Sequence, residues 1–336
     1  MIDRKLYFDK YHKMSFLWAV MIVFRHALNY TVYSLPNNSI VLLIEKFAYE
    51  LTGFATVSFA LFSGYNFFRN YTPEKWKTKL SSRIHTLVIP YVIAITINWF
   101  CFAILPYLPK IGKAINGSLY SLSVQSYIYT LFTGGGLPLW FLRNLIIAVA
   151  VSPAMYWVIR NKIVAISCLG LAIIGYSISP KDQFSVMYFS LAFFFGGIIS
   201  MHIDTSVIKS SASLCLIALL ALITMNMLFH YAENERIRLP YTIVGAILLW
   251  RASDLFIGKI KDKEFFSMSF FIYQYHYFLQ ESLEKVIWIL FGNHEWSALF
   301  DFIVCPIITI MLLIFIAYRM KRYLPQCYRV IIGGRM

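Results

Sequence analysis

Charged side chains are scarce in this sequence: only 14% of the 336 residues are Asp, Glu, Lys or Arg. A typical soluble domain carries about 25%. Apolar residues take their place, and 59% of the chain is hydrophobic. Because a transmembrane helix needs about 20 apolar residues, the composition accommodates about ten such helices and leaves only short connections between them. We therefore expect an all-α integral membrane protein, in which residues 1–336 form a single membrane domain without a soluble domain.

Several sequence patterns of common enzyme chemistry are also missing. The chain has no Gly-rich phosphate loop, no GxSxG or HExxH motif, and no Cys/His cluster with the spacing of metal ligands. Its five cysteines are scattered and include no CxxC pair. The net charge of +14 is divided into short clusters between apolar runs, whereas a nucleic-acid-binding protein carries a continuous basic face. We predict neither a metal site nor a nucleic-acid partner.

The apolar runs are separated by charged residues or by Gly and Pro, and these breaks give ten predicted spans. The spans are residues 15–33, 51–68, 86–105, 139–158, 163–178, 184–203, 212–230, 239–250, 269–291 and 299–318. If the N-terminus is cytoplasmic, 21 Lys and Arg residues fall in cytoplasmic segments and five fall on the other side, apart from Lys46 in segment 34–50. Such an asymmetry sets the orientation of membrane proteins. It predicts that both termini are cytoplasmic, including a tail from about residue 319 to 336.

Two segments outside the spans are unusual. Residues 34–50 contain Glu45, Lys46 and Glu50 among apolar residues, which favours an interfacial helix over a span. Residues 106–138 are polar and aromatic and end in three consecutive glycines. A connection of this length is typical of a lid or of a re-entrant element that lines a cavity.

Two histidines lie deep within predicted spans, where an ionisable group costs at least ~2.5 kcal/mol. His26 is 11 residues into the first span, about 17 Å along a helix, and His276 is about seven residues into the ninth. A histidine can act as a general base near neutral pH. Alternatively, His26 forms a hydrogen bond between helices and His276 belongs to the aromatic belt at the membrane surface.

Three arginines at the ends of predicted spans can bind an anion. Arg69 and Arg83 bound the basic segment after the second span, where they either set the orientation of the chain or bind phosphates of a nucleotide-bearing donor. Arg143 follows Trp140 near the start of the fourth span, where it either reaches to the membrane surface or binds a carboxylate or phosphate.

Five segments of the chain, in this order, resemble the membrane acyltransferase 3 family. They are residues 16–26, which end in His26, FALFSGYNFFR at 59–69, RIHTLVIPY at 83–91, PLWFLRNLIIAVAVSP at 138–153 and SFFIYQYH at 269–276. Each segment alone would be a weak signal, but their shared order and spacing on ten spans form a strong one. The family's first helix carries a basic residue, ten further residues and then His. Ser15 occupies the basic position here, so Lys13, Arg25 and Arg69 are the candidates for that role.

The resemblance implies an O-acyltransferase of the bacterial cytoplasmic membrane that moves an acyl group, usually acetyl, from cytosolic acyl-coenzyme A to a sugar hydroxyl. The acceptor would be a cell-surface polysaccharide or a lipid-linked glycan. His26 and His276 are then the predicted catalytic residues, with His26 as the general base. Arg69, Arg83 and Arg25 are predicted to bind acetyl-coenzyme A. Trp140 and Arg143 are predicted to bind the acceptor.

Two other classes of function fit the same spans. A transporter or flippase of a glycan intermediate would place the deep His and Arg along a translocation path. Many such carriers are built from internal repeats, and none is evident in this sequence. A structural partner of a polymer synthase would need no chemistry at all.

Overall fold

The computed structural model describes residues 4–27, 36, 39–104, 107, 120–180, 185–203, 211–232 and 235–335. Within these ranges the secondary structure is helical and contains no β-strand, which confirms the all-α prediction. The α-helices are α1 (Arg4–Arg25), α2 (Ile40–Phe68), α3 (Trp76–Arg83), α4 (Ile89–Ile104), α5 (Val124–Thr133), α6 (Trp140–Ala150), α7 (Ser152–Ile159), α8 (Lys162–Ile178), α9 (Val186–His202), α10 (Ala212–Ala232), α11 (Arg238–Ala252), α12 (Ser269–Phe291), α13 (Glu295–Tyr323) and α14 (Pro325–Ile331). A π-helical turn, Ile84–Val88, joins α3 to α4.

In the part of the chain that the structure describes, three helical stretches are long and apolar enough to cross a membrane: Pro73–Ile104, Glu235–Lys259 and Glu295–Tyr323. The second of them contains the short predicted span 239–250 and is longer than expected, because 3₁₀ turns extend α11 at both ends. Helices α6 and α7 reach spanning length only together, and they are bent by 63° where Pro153 enters the first turn of α7. A helix lies at each of the ten predicted spans, and these lengths and compositions are those of a membrane protein.

The first helix differs from its prediction. Helix α1 begins at Arg4 and ends at Arg25, so His26 follows the helix and does not lie in its middle. The His26 amide still donates to the carbonyls of Ile22 and Val23, at 3.2 and 3.1 Å. Such shared bonds are typical of a helix that ends. Apolar residues continue beyond this point, so composition alone gave no signal for the end. Residues 28–35 lie outside the described part of the chain.

The predicted interfacial helix and the second span are one helix. α2 starts after Ser39, whose Oγ accepts hydrogen bonds from the amides of Val41 and Leu42 at 3.2 and 3.4 Å, and it continues for 29 residues. Its acidic residues do not end it, because they face the protein. Glu45 is fully buried, and Glu50 forms an ion pair with Arg238 at 3.8 Å. The prediction of a separate helix over 34–50 was therefore wrong.

The long segment 106–138 contains a helix that packs against its neighbour. Helix α5 lies on α4, where Tyr91 donates a hydrogen bond to the carbonyl of Leu131 at 2.7 Å. The turn that follows, Gly134 to Gly136, has φ values of 83°, 57° and 83° and leads directly into α6. Residues 108–119 lie outside the described part.

Helices α2 and α9 cross with their backbones in contact. A Cβ atom added at Gly64 would lie 1.9 Å from the Phe193 carbonyl oxygen, and one at Gly196 would lie 1.9 Å from that of Leu61. Only glycine allows this approach, which is how many membrane helices associate. The contact fixes α2, which lines the candidate site along much of its length.

Candidate functional site

Helices α1 and α2 run antiparallel and form one wall of two cavities. Their pairing is defined by Tyr11 with Phe62, Trp18 with Phe59, and Arg25 with the carbonyl of Tyr49. Phe141 from α6 and Tyr273 from α12 contribute to the opposite wall of both cavities. We name each cavity after the α1 residue, or the residue just after α1, that lines it: the Ser15 cavity and the His26 cavity.

The His26 cavity has a volume of about 230 Å³. Besides Phe141 and Tyr273, it is lined by apolar residues and by polar or aromatic groups. These are Ile22, Arg25, His26, Tyr49, Gly53, Thr56, Val57, Pro138, Trp140 and Tyr188. The cavity thus combines an imidazole, a guanidinium, hydroxyls and an indole, and these groups can hold a polar ligand and move a proton.

Two histidines from distant parts of the sequence meet at this cavity. The ring centres of His26 and His276 lie 5.3 Å apart, and Tyr277 packs edge-on against His26 at 5.2 Å. His276 is fully buried, and its Nδ1 lies 2.9 Å from the Tyr273 carbonyl. Because a carbonyl only accepts, this nitrogen carries the proton. His26 is half-buried and lines the cavity. Only His26 is thus placed to touch a ligand.

The Ser15 cavity lies farther along α1, toward its N-terminus, and has a volume of about 270 Å³. Ser15 and His26 are 11 residues apart, or about 17 Å along α1. Three further serines line the Ser15 cavity, together with apolar side chains from α2 and α6. These serines are Ser63, Ser267 and Ser269. The lining is therefore mainly apolar, with scattered hydroxyls that can form hydrogen bonds with a ligand.

Residues 16–319 match the family model described as an acyltransferase domain. The chain belongs to the acyltransferase 3 family. The match extends over nearly the whole sequence and confirms the resemblance carried by the five segments. Comparison with curated proteins and with solved structures gives no match. The protein is a membrane acyltransferase. The described residues that line the His26 cavity all lie within the matched domain, whereas the Ser15 cavity is also lined by Tyr11, His12, Ser15 and Arg335, which lie outside it.

The predicted donor-binding and acceptor-binding residues of this acyltransferase fall in different places. Arg25 and Trp140 line the His26 cavity. Arg143 does not line it, because its guanidinium donates to the side chain of Asn144 and to the carbonyl of Thr133. Arg69 lies near the rings of Tyr7, Phe8 and Tyr65, between 5.2 and 5.9 Å from their centres.

Ser15 occupies the position where the family's first helix carries a basic residue, and neither Lys10 nor Lys13 of α1 supplies a cation in its place. Lys13 forms an ion pair with Asp9 at 2.8 Å, and Lys10 pairs with Asp254 at 2.6 Å. Burial lowers the pKa of Lys10, and its hydrogen bond to Asp254 opposes that shift. Ser15 donates back to the carbonyl of Tyr11 at 2.8 Å. The cation of the Ser15 cavity comes from Arg335, a residue that sequence reasoning counted only as an orientation signal.

Residues along one face of α2 also line the two cavities, and none of them was among the predicted site residues. Tyr49, Gly53 and Thr56 line the His26 cavity, and Phe59 and Ser63 line the Ser15 cavity. Their spacing of i, i+4, i+7, i+10 and i+14 is that of one helix face. This stripe of two aromatic residues, a glycine and two hydroxyl residues has a helical spacing in the sequence, but the wrong boundary at residue 50 divided it. In the described residues, no group of three or more His, Cys, Asp and Glu side chains is arranged to hold a metal.

Proposed function

We propose that this membrane acyltransferase is an O-acyltransferase that moves an acetyl group from cytosolic acetyl-coenzyme A to a sugar hydroxyl of a cell-surface polysaccharide or lipid-linked glycan. It would act in the bacterial cytoplasmic membrane, with ten spans and both termini cytoplasmic. The basic residues of α1 and α3 would then place the Ser15 cavity on the cytosolic side. The His26 cavity would lie about 17 Å deeper along α1.

One observation carries this proposal: the two cavities share Phe141 and Tyr273 and lie along the same two helices. A donor that enters from one side of the membrane and an acceptor that enters from the other need two sites that meet. The Ser15 cavity would hold the pantetheine arm, and the His26 cavity would hold the sugar. The thioester would then lie near the shared wall, within reach of a hydroxyl beside His26.

His26 would act as the general base. Its imidazole removes the proton from the acceptor hydroxyl while the oxygen attacks the thioester carbonyl. When the tetrahedral intermediate collapses, the carbon–sulfur bond breaks and the new ester remains. The proton held by His26 passes to the coenzyme A thiolate, so the enzyme returns to its starting state. His276, which is fully buried, would position His26 and not touch the sugar.

The other residues of the His26 cavity would bind the acceptor. Trp140 offers an apolar ring face for a sugar, and Arg25 offers a cation for an anionic group or a developing oxyanion. Arg25 is already anchored, since its guanidinium donates to the Tyr49 carbonyl and lies 3.6 Å from the Tyr49 ring centre. Arg143 would act indirectly, by fixing the turn that carries Trp140.

The test of this proposal is mass spectrometry of envelope glycans from cells with and without the gene, combined with transfer assays on the purified protein. Loss of one acetyl mass per sugar in the deletion strain, and transfer from radiolabelled acetyl-coenzyme A in the assay, are the expected results. Unchanged acetylation together with altered export of an unmodified glycan would favour a flippase and refute the proposal.

A further inference from the structure

The segment after α14 folds back into the protein and brings Arg335 to the Ser15 cavity. Tyr328 and Ile332 anchor it, with 2% and 1% of their surfaces exposed, in a cluster that includes Phe271 and Ile272 of α12. The guanidinium of Arg335 lies 3.8 Å from the ring centre of Phe270. Its Nη1 donates to the Ile332 carbonyl at 3.2 Å.

A tight turn makes this return possible. Gly333 has a φ of +64°, and a Cβ atom at this position would lie 2.6 Å from the carbonyl oxygen of Thr86. Thr86 belongs to the π-helical turn between α3 and α4. The backbone of the segment therefore packs directly on the turn that follows Arg83. Gly334 also has a positive φ, of +72°, but no atom lies within 4 Å of its Cβ position.

Two like charges are brought together by this packing. Burial, and to a smaller extent the positive charge of Arg83, lowers the pKa of Arg335 to about 10, so the group remains protonated at neutral pH. Within the described residues, neither Arg83 nor Arg335 forms an ion pair. The described residues that line the Ser15 cavity include no carboxylate, and His12 is the other titratable base among them. His12 faces Asp262 at 4.0 Å.

Two guanidinium groups in half-buried positions repel each other, and a bound anion would relieve this repulsion. Guanidinium binds phosphate through paired, charge-assisted hydrogen bonds, which makes it a better phosphate ligand than a lysine in a fixed position. The cavity volume of about 270 Å³ is too small for a whole nucleotide-bearing thioester. The nucleotide must therefore remain at the edge of the cavity, near these arginines, while the acyl arm enters.

We infer that Arg335, together with Arg83, binds a phosphate group of the acyl donor at the Ser15 cavity. The inference rests on the proposed function, because it takes coenzyme A as the donor. Arg335, which lies in the segment after α14, would thus provide the cation that Ser15 of α1 cannot provide. The bound phosphate would also hold this segment against the turn after α3, so donor binding and the packing of residues 333–335 would support each other.

The experiment measures binding of coenzyme A and of pantetheine, which lacks every phosphate, to the purified full-length protein in detergent. The variants are Arg335→Gln, Arg335→Lys and, as matched control, Arg329→Gln, an exposed arginine on α14. Arg335→Gln should weaken coenzyme A binding by about tenfold to 100-fold, as expected for a lost hydrogen bond between charged groups. Arg335→Lys should lose less. Pantetheine binding, and both affinities of Arg329→Gln, should not change.

A second pair of variants tests the turn. Gly333→Ala introduces both a disfavoured φ and a clash with Thr86, so it should displace Arg335 and weaken coenzyme A binding as Arg335→Gln does. Gly334→Ala introduces the disfavoured φ alone and should weaken binding less. Equal losses in the two variants would contradict the role given to the contact with Thr86.

The outcomes separate the inference from the proposed function. If the wild type binds coenzyme A and Arg335→Gln binds it equally well, the inference is wrong and the proposed function stands. If Arg335→Gln weakens coenzyme A and pantetheine to the same degree, Arg335 shapes the cavity and does not bind phosphate. If the wild type does not bind coenzyme A, the proposed function fails. Binding of inorganic pyrophosphate, present in the wild type and lost in Arg335→Gln, would then still support the phosphate site, and its absence would overturn it.

Discussion

The rings of Phe141 and Tyr273 lie 5.8 Å apart at an angle of 73°, and both side chains line both cavities. Tyr273 is fixed by its hydroxyl, which donates to the Pro138 carbonyl at 2.6 Å. Phe141 packs edge-on against Phe189 at 4.9 Å. Under the proposed function, these two rings form a partial partition at the junction of the two cavities, where the thioester still reaches the acceptor hydroxyl. They would also keep water away from the thioester until the acceptor is bound.

Replacing Phe141, one ring of this partition, by a smaller side chain should increase hydrolysis of the donor without transfer to the acceptor. Phe141→Leu would open a passage between the cavities and admit water to the thioester. We expect hydrolysis of acetyl-coenzyme A without acceptor to rise roughly tenfold, equivalent to about 1.4 kcal/mol in the barrier. Release of free coenzyme A by the purified enzyme, with and without acceptor, measures this.

The matched control is Phe189→Leu, which removes the same atoms from a buried ring that lines neither cavity. It should destabilise the fold to a similar degree without raising hydrolysis. A similar rise in both variants would mean that hydrolysis reports loosened packing, and the partition would lose its support.

Replacing His26 should abolish transfer and leave donor binding intact. Loss of a general base typically lowers a rate by ~10²–10⁴-fold, and the base acts on the acceptor and not on the donor. His26→Ala should therefore show this loss in single-turnover acetyl transfer, with an unchanged affinity for coenzyme A. Folded protein with near-normal transfer would leave His26 as a packing residue.

Replacing His276 should lower acetyl transfer less than replacing His26. His276→Ala should lose activity only in part, because a buried neighbour positions the base and does not remove the proton. His294→Ala, at an exposed histidine before α13, should leave transfer unchanged. If His276→Ala is as inactive as His26→Ala while remaining folded, the two imidazoles act as one catalytic unit.

The α2–α9 crossing should tolerate no added atom. Gly196→Ala would place a methyl group 1.9 Å from the Leu61 carbonyl oxygen. Overpacking of this kind costs about 1–3 kcal/mol. Thermal unfolding in detergent should give a clearly lower Tm. Gly170→Ala in α8 is the control, because no atom lies within 4 Å of its Cβ position and alanine favours a helix. An undiminished Tm for Gly196→Ala would refute the backbone contact.

The predicted orientation places Cys327 in the cytoplasm. In a variant that keeps Cys327 as its only cysteine, a membrane-impermeant thiol reagent should label it only after the cells are permeabilised, since this exposed thiol is otherwise accessible. Asn293→Cys, between α12 and α13 on the predicted outer side, should be labelled in intact cells. Labelling of Cys327 in intact cells would reverse the orientation and move the donor to the other side.

Much of the helical framework could be predicted, because each span must satisfy its own backbone hydrogen bonds and cover itself with apolar side chains. These are local requirements, and they leave a local pattern. The boundary that failed in α2 involves charge. Glu45 and Glu50 suggested a break in α2, but tertiary contacts bury or pair them. A sequence pattern cannot distinguish a charged residue that ends a helix from one that lies within a helix and is buried or paired by tertiary contacts.

By itself, the sequence determined the helical class and the acyltransferase 3 family, since both depend on patterns of residues that are local in the chain. It also made His26 a candidate site residue. Only the tertiary structure brought the ring centre of His276 within 5.3 Å of that of His26 and made Phe141 and Tyr273 part of the lining of both cavities. It also moved Arg335 to the cavity beside Ser15, 320 positions away in the sequence. The physical reason is that an arginine side chain can line a cavity from any segment of the chain whose backbone packs beside that cavity. That packing depends on long-range contacts such as Gly333 against Thr86, which no local pattern records.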